Sequence, residues 1–125
     1  MTPTVRVSAE PIGVEDLAAF QGATRSPYVV SYVERVPAGT GAVEFYTAFR
    51  ELAEAAVHQV FEELLADAPE DLEVFVRYRL GELAAGEPMM LIAVRSARFE
   101  DAYGACGRLA VRLREHGSVR REPRR

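Results

Sequence analysis

Apolar and polar residues alternate in several short segments, and a period of two is typical of β-strands. The segment TVRVSA at 4–9 predicts a first strand, and YVVSYVERV at 28–36 a second. The segment PAGTG at 37–41 is rich in turn residues, and AVEFYT at 42–47 follows it. We therefore predict that the strands at 28–36 and 42–47 form a hairpin or a near-hairpin.

Two more strands are predicted in the second half of the chain. In LEVFVRYRL at 72–80 the apolar residues fall on one face and a mixed set on the other. The segment MMLIAVR at 89–95 is apolar on both faces, which predicts a central strand. Between them, GELAAGEP at 81–88 predicts a tight connection bounded by glycines.

A period near 3.6 residues predicts three helices. They cover about 14–20, 48–66 and 99–115, and Gly117 is expected to end the last one. The residues of the last helix that we expect to point inward are Phe99, Ala102, Tyr103, Cys106, Leu109, Ala110 and Leu113. The predicted order is β-α-β-β-α-β-β-α, which is typical of an α+β fold with an antiparallel or mixed sheet covered by helices.

The size of the chain predicts one domain over residues 1–125, with a short basic C-terminal tail at about 117–125. Cys106 is the only cysteine, so no disulfide within the chain is expected. The longest apolar stretch, at 88–94, is too short to span a bilayer, and the N-terminus lacks a secretory pattern. We therefore expect a cytoplasmic protein without a membrane partner.

Common cofactor and metal motifs are absent from the sequence. It contains no glycine-rich nucleotide-binding loop and no Cys/His cluster with zinc spacing. His58 and His116 have no second ligand nearby in sequence, and Cys106 lies on the apolar stripe of its helix. We predict neither a metal nor a cofactor.

The basic residues are distributed unevenly and are all of one type. There are 15, each an arginine, in a chain with a net charge of −4. Arginine carries a rigid fork of donors suited to phosphate and carboxylate groups, but it is a very poor general base. Seven arginines lie after residue 105, within an otherwise acidic chain, and this asymmetry favours a local anion site. A solvated basic face with a loose terminus is the alternative.

One stretch of the sequence carries a resemblance to a known family. Residues 76–115 resemble the large, catalytic subunit of molybdopterin synthase, in which a strand enters an H-R-I-G-x-L-x-x-G-E turn and an S-x-H-R-x-x-A-F-x-A helix start follows. The residues that match the turn are Arg79, Gly81, Leu83, Gly86 and Glu87, and those that match the helix start are Ser96, Ala102, Tyr103 and Ala105. Upstream, 46–57 and 28–36 are similar to further family segments, so the resemblance covers about 4–122.

The resemblance implies a role in molybdenum cofactor synthesis. In that family, sulfur moves from the C-terminal thiocarboxylate of a small ubiquitin-like subunit ending in Gly-Gly to a cyclic pyranopterin monophosphate. The large subunit is a homodimer, a basic pocket holds the substrate phosphate, and two lysines lie near the thiocarboxylate.

This sequence departs from the family pattern at those positions. The two lysines align with Arg114 and Arg121, which the resemblance makes the candidate catalytic residues. Arg98 stands in the family's His-Arg pair and, with the approximate match Arg35, is the candidate phosphate ligand; Arg79 positions the turn. Arginine keeps the charge but removes a group able to lose a proton near neutral pH.

Three functional hypotheses therefore remain open from the sequence. The first is a sulfur-transferring large-subunit-like protein that works by electrostatics alone. The second is a catalytically degenerate relative that acts as a dimeric binding or regulatory module. The third, which the acidic remainder of the chain disfavours, is an unrelated α+β domain whose tail contacts nucleic acid.

Overall fold

The computed structural model describes the backbone of residues 2–22, 26–39, 43–46, 50–115 and 120–123, and the side chains of 3–22, 26–39 and 54–115. Ten elements follow one another along these segments. They are β1 (Thr2–Ser8), α1 (Val14–Gly22), β2 (Tyr28–Arg35), β3 (Val43–Tyr46), α2 (Arg50–Leu64), β4 (Glu73–Arg79), β5 (Gly81–Leu83), β6 (Pro88–Ser96), α3 (Phe99–Arg114) and β7 (Arg120–Pro123).

Strands β1, β4, β6 and β2 form the main sheet in that spatial order. β1 pairs with β4 in parallel, whereas β6 pairs antiparallel with both β4 and β2. The fold is thus α+β with a mixed sheet, as the sequence predicts. β6 is buried from Met89 to Ser96, which confirms the prediction of a central strand.

The predicted hairpin between β2 and β3 is wrong. β2 pairs with β6 along its whole length, whereas β3 lies in a second, three-stranded sheet between β5 and β7. The physical reason is that an apolar strand such as β6 needs a partner on each edge, and β2 is the β-branched and aromatic segment that satisfies one of them. The short strands β5 and β7 were not predicted, because each has too few residues to show an alternating pattern.

The core lies between the main sheet and the helices α2 and α3. Its members are side chains of the even-numbered positions of β4 and β6 together with one face of each helix, including Val76, Ile92, Phe61 and Leu109. These four side chains are fully buried. This layer carries α3 directly over the strands β2 and β6.

Two residues of α3 differ from the expectation. Phe99 and Tyr103, which were expected to point inward, are 48% and 63% exposed. The helix face that contacts the sheet begins instead with Ala102 and Ala105. Small residues let the helix approach the strands closely, and the two aromatic rings are displaced to the side, where Phe99 stacks on Tyr103 and meets the edge of Tyr28.

The opposite face of the main sheet carries α1 and two buried arginines. Arg77, 1% exposed, donates to the carbonyls of Glu10 and Pro11, to the Ser8 hydroxyl and to the Asp16 carboxylate at 2.8–3.2 Å. In the same way Arg95 joins the last turn of α1 to the sheet. It contacts the Phe20 carbonyl and the Glu73 carboxylate, with its guanidinium carbon 4.4 Å from the centroid of the Phe20 ring. These two arginines therefore attach α1 to the sheet.

Candidate functional site

The C-terminal end of α3 forms a polar corner against β2 and β4, which we call the Arg114 corner and define by Tyr32, Glu34, Tyr78 and Arg114. Tyr32 and Glu34 alternate onto the face of β2 that α3 covers, and Tyr78 lies on the same face of β4. Arg114, in the last turn of α3, places its Nε 3.2 Å from Oε1 of Glu34. The Arg114 side chain is 58% exposed to solvent.

Both phenols in the Arg114 corner stay protonated at neutral pH. Burial raises the pKa of Tyr32, and the negative charge of Glu34 and a hydrogen bond with it raise that pKa further. Burial also raises the pKa of Tyr78, with a smaller contribution from Glu34, and its hydroxyl donates to the Leu113 carbonyl at 3.4 Å. Neither tyrosine therefore serves as a base at neutral pH, and the single O–H of Tyr78 is already used by the Leu113 carbonyl.

Cys106 lies about two turns before Arg114 on the buried face of α3. Burial raises the pKa of its thiol to about 11, so the nucleophilic thiolate is scarce at neutral pH. The chemistry of the Arg114 corner thus consists of one accessible guanidinium, one carboxylate and two neutral phenols. Such a set is suited to bind and orient an anion.

The structure places Arg35 and Arg79 around the connection between β5 and β6. Arg35 donates to the Gly86 carbonyl at 2.9 Å, and Arg79 forms an ion pair with Glu87 at 2.7 Å. Gly86 has a φ of +87°, a left-handed conformation that glycine adopts without strain. Both arginines thus contact this turn.

Arg35 and Arg114 lie at the same end of the main sheet but on different sides of it. Arg35 lines a cavity of about 320 Å³ on the α1 side, together with the apolar side chains of Ile12, Leu17 and Val33. Arg114 lies on the α3 side. The single chain does not bring these two guanidinium groups onto one ligand.

Arg98 lies at the other end of α3. The helix has 16 residues, so its ends are about 24 Å apart at a rise of 1.5 Å per residue. The side chain of Arg98 is 73% exposed, with Glu100 at 3.7 Å as a partner equally exposed to solvent. Within one chain, Arg98 is therefore far from the Arg114 corner.

The backbone of Arg121 belongs to β7 and pairs with Phe45 of β3, which in turn pairs with Gly81 of β5. Two strand spacings of about 4.8 Å separate Arg121 from Gly81. The second sheet therefore places the backbone of Arg121 two strands away from the start of the turn that follows Arg79, with β3 between them. The side chain of Arg121 lies outside the described residues.

A second cavity, of about 400 Å³, lies between the end of α2 and the start of α3. Four carboxylates line it, from Glu63, Asp67, Glu100 and Asp101, with Arg108 as the one basic residue. Its negative charge disfavours a phosphorylated ligand. Among the described residues no three His, Cys, Asp or Glu side chains are grouped to hold a metal ion, and none of the described helices has the length and apolar character of a membrane span.

Sequence reasoning missed Glu34 and Tyr32. Their alternation in YVVSYVER placed them on one face of a strand, but nothing in the sequence showed that the end of α3 covers that face. The contact joins residues far apart in the chain, so only the tertiary structure reveals it.

Comparison with known proteins identifies the family. A family model described as MoaE protein matches residues 8–116, which is most of the chain. The chain belongs to the MoaE protein family.

Two kinds of relative agree with membership of the MoaE family. A molybdopterin synthase catalytic subunit from Synechococcus elongatus is 28% identical over 123 residues, covering 92% of this chain and 72% of the relative. Among solved structures, molybdopterin cofactor biosynthesis protein E from Burkholderia multivorans superposes with a TM-score of 0.86 at 20% identity, covering 100% of this chain and 85% of the other. The fold of this MoaE family member is therefore that of solved family structures.

A second solved structure that resembles this chain contains two different subunits. It is a protein–protein complex of subunits 1 and 2 of the molybdopterin-converting factor from Helicobacter pylori. It superposes with a TM-score of 0.75 at 14% identity, covering 94% of this chain and 82% of the matched chain. At this identity the likeness concerns the fold alone.

Proposed function

We propose that this MoaE family member works in molybdenum cofactor biosynthesis as a molybdopterin synthase large subunit. In this role it transfers sulfur from the thiocarboxylate of a small ubiquitin-like carrier to a cyclic pyranopterin monophosphate in the cytoplasm. The observation that carries the proposal is the Arg114 corner, where the guanidinium of Arg114, whose side chain is 58% exposed, stands beside the Tyr32 phenol. A carboxylate or thiocarboxylate is the ligand for which this set is suited.

The partner we propose is a small subunit that ends in Gly-Gly. A flexible C-terminus without side chains is suited to approach a guanidinium that stands against a sheet. The Helicobacter pylori complex contains two subunits of the molybdopterin-converting factor, and the matched chain has the fold described above. We propose that Arg114 receives the terminal anion of such a subunit and that Arg121 lies near it.

The chemical role of Arg114 and Arg121 follows from their side chains. Each guanidinium keeps its charge at any working pH, so it stabilises an anion but does not relay a proton. We therefore propose electrostatic positioning of the thiocarboxylate sulfur, with proton transfer left to solvent or to the substrate. The single domain that we expect over residues 1–125 suffices for this role.

The position of Arg98 supports a homodimer. If Arg98 binds the phosphate of the pyranopterin at the Arg114 corner, it must come from a second protomer, because about 24 Å of helix separates the two within one chain. Beside Arg98, the exposed rings of Tyr28, Phe99 and Tyr103 form a contiguous aromatic surface of the kind that mediates association. Neither nucleic acid nor membrane enters the proposal.

A second candidate function is a catalytically degenerate binding or regulatory module. The observation that favours it is the pair of arginines at both family lysine positions. Such a protein would keep its affinity for the small subunit and would have lost turnover.

One assay separates these two functions. The full chain is mixed with a thiocarboxylated small subunit and cyclic pyranopterin monophosphate, and dithiolene product is measured. Product from the unaltered chain supports electrostatic catalysis. Binding of the small subunit without product contradicts it and supports the degenerate module.

The double variant Arg114→Lys/Arg121→Lys is the companion measurement. Activity that appears only in this variant would show an intact scaffold with a degenerate site. The matched control is Arg108→Lys/Arg112→Lys, which makes the same exchange on α3 outside the Arg114 corner and is expected to change nothing.

A further inference from the structure

Glu34 is the acidic member of the Arg114 corner, and its placement is unusual for a surface carboxylate. Its side chain is only 24% exposed, and it stands at the end of β2, where the pairing with β6 is interrupted by a bulge. It also faces the C-terminal end of α3, whose dipole disfavours a negative charge. Arg114 offsets this cost, and in the described part of the chain this is the only ion pair that Glu34 makes.

The contact occupies the face of the guanidinium that points toward the sheet. Nε of Arg114 meets Oε1 of Glu34 at 3.2 Å, while more than half of the arginine side chain faces solvent. An external carboxylate that approaches along the sheet therefore meets a guanidinium that already has a carboxylate partner. Side-on bidentate binding of the newcomer, through Nε and the adjacent Nη, requires that Glu34 give up this contact.

Tyr32 is the polar neighbour of Glu34 on β2. The two side chains lie two residues apart on the face of the strand that α3 covers. Tyr78 of β4 lies on the same face of the sheet, and its O–H is used by the Leu113 carbonyl. A turn of the Glu34 side chain toward the Tyr32 O–H would give the carboxylate a donor after Arg114 leaves it, which lowers the cost of exchanging partners.

We propose that Glu34 is an internal competitor for Arg114. Its carboxylate occupies the guanidinium in the free protein, and an incoming C-terminal carboxylate or thiocarboxylate displaces it. The inference rests on the proposed function for the identity of the ligand. It assigns to Glu34 a role in setting affinity, in that the competition weakens the binding of small anions and favours a chain terminus held by further contacts.

The chain offers a matched control on the same helix. Arg112 forms an ion pair with Glu63 of α2, also at 3.2 Å, and both side chains are about half exposed. The variants Glu34→Gln and Glu63→Gln remove the same charge from the same kind of pair. Only the first frees a guanidinium in the Arg114 corner.

The test measures binding of a fluorescein-labelled peptide that ends in Gly-Gly with a free carboxylate, by fluorescence anisotropy on the full chain. We expect Glu34→Gln to bind this peptide roughly two- to fivefold more tightly than the unaltered protein, the range that corresponds to a partly exposed ion pair. Glu63→Gln should bind as the unaltered protein does. The same peptide with a C-terminal amide should show no gain.

A double-mutant cycle attributes the gain to Arg114. Arg114→Gln should weaken binding of the carboxylate peptide, and adding Glu34→Gln to it should give no recovery. The inference is overturned if Glu34→Gln binds no better than Glu63→Gln, if the gain persists without Arg114, or if no variant binds the peptide.

These outcomes are separate from those of the proposed function, which the dithiolene assay with the intact small subunit decides. Turnover in that assay together with unchanged peptide affinity in Glu34→Gln would refute only the competition. Thermal unfolding of each variant checks that it folds, and Glu34→Ala, which removes the same carboxylate, serves in its place if Glu34→Gln does not.

Discussion

The two faces of the main sheet are built on different principles. The face under α2 and α3 is apolar, with Val76, Ile92 and Leu109 fully buried among their neighbours. The face under α1 is held by charged groups, since Arg77 and Arg95 are buried there and α1 contributes no buried residue of its own. In this chain without lysine, arginine thus attaches α1 to the sheet from inside and also carries charge on the surface.

The comparison shows which arginines are candidates for binding. A buried guanidinium such as that of Arg77 has both terminal nitrogens engaged by carbonyls, a hydroxyl and a carboxylate, and burial keeps a ligand from reaching it. Arg114 and Arg98 on the α3 side are more than half exposed and each has one carboxylate partner. The number of arginines therefore overstates how many of them are able to bind an anion.

The largest expected effect is on the charged face. Arg77→Ala removes the cation that pairs with Asp16 and leaves two backbone carbonyls without their donor, so we expect a loss of about 3–5 kcal/mol in the free energy of unfolding. Urea unfolding measures it. The control Arg108→Ala, at an exposed position, should stay within about 0.5 kcal/mol. Equal losses in both variants would mean that Arg77 does not attach α1 to the sheet.

The apolar face should respond nearly as strongly to truncation. Leu109→Ala removes a fully buried side chain from the center of α3 and should cost about 2–4 kcal/mol, through lost burial and the cavity that remains. Val111→Ala on the exposed side of the same helix is the control, since that residue is 59% exposed. A loss in Leu109→Ala no larger than in the control would contradict the packing of α3.

Alkaline pH should also weaken the apolar face. Burial raises the pKa of the Cys106 thiol from 9.0 to about 11, so the folded chain holds this proton more tightly than the unfolded one. The contribution to stability is complete below about pH 9 and is lost as pH rises through 11, up to about 3 kcal/mol. Urea unfolding across this range should show a shallower decline for Cys106→Ala than for the unaltered chain. Parallel declines would contradict the prediction.

The smallest effect is expected where the α3 side meets solvent. Arg98→Ala removes an exposed pair with Glu100 and should change the free energy of unfolding by less than about 0.5 kcal/mol. Thermal unfolding of Arg98→Ala beside Glu100→Gln checks this. A large loss of stability would show that Arg98 has a structural role comparable to that of Arg77.

Much of the secondary structure was predictable because the period of apolar residues is a local property. The central strand β6, the alternation of β4 and the extent of α3 all follow from it. The pairing of β2 was not predictable in this way, since a turn-rich segment after a strand favours a hairpin locally while burial against β6 is a long-range effect. For the same reason Phe99 and Tyr103, apolar in type, were expected inside.

The candidate site, too, was predictable in part from the sequence and in part only from the tertiary structure. The resemblance to the large subunit of molybdopterin synthase pointed to Arg114 and Arg121 from the sequence, and membership of the MoaE family is shown by the family match over 8–116. The roles of Arg114, Arg121, Arg98, Arg35 and Arg79 remain predictions. Their separation over two faces and both ends of α3 was not visible in the chain order.

By itself, the sequence determined the fold class and the family, and it shows that arginine takes the place of lysine throughout the chain. These depend on composition, local period and motif spacing, which are written along the chain. The tertiary structure alone decided that Arg77 is buried, that Arg98 lies far from Arg114, and that Glu34 meets Arg114. The physical reason is that burial and ion pairing depend on which elements pack together, and that choice is made by the free energy of the whole core.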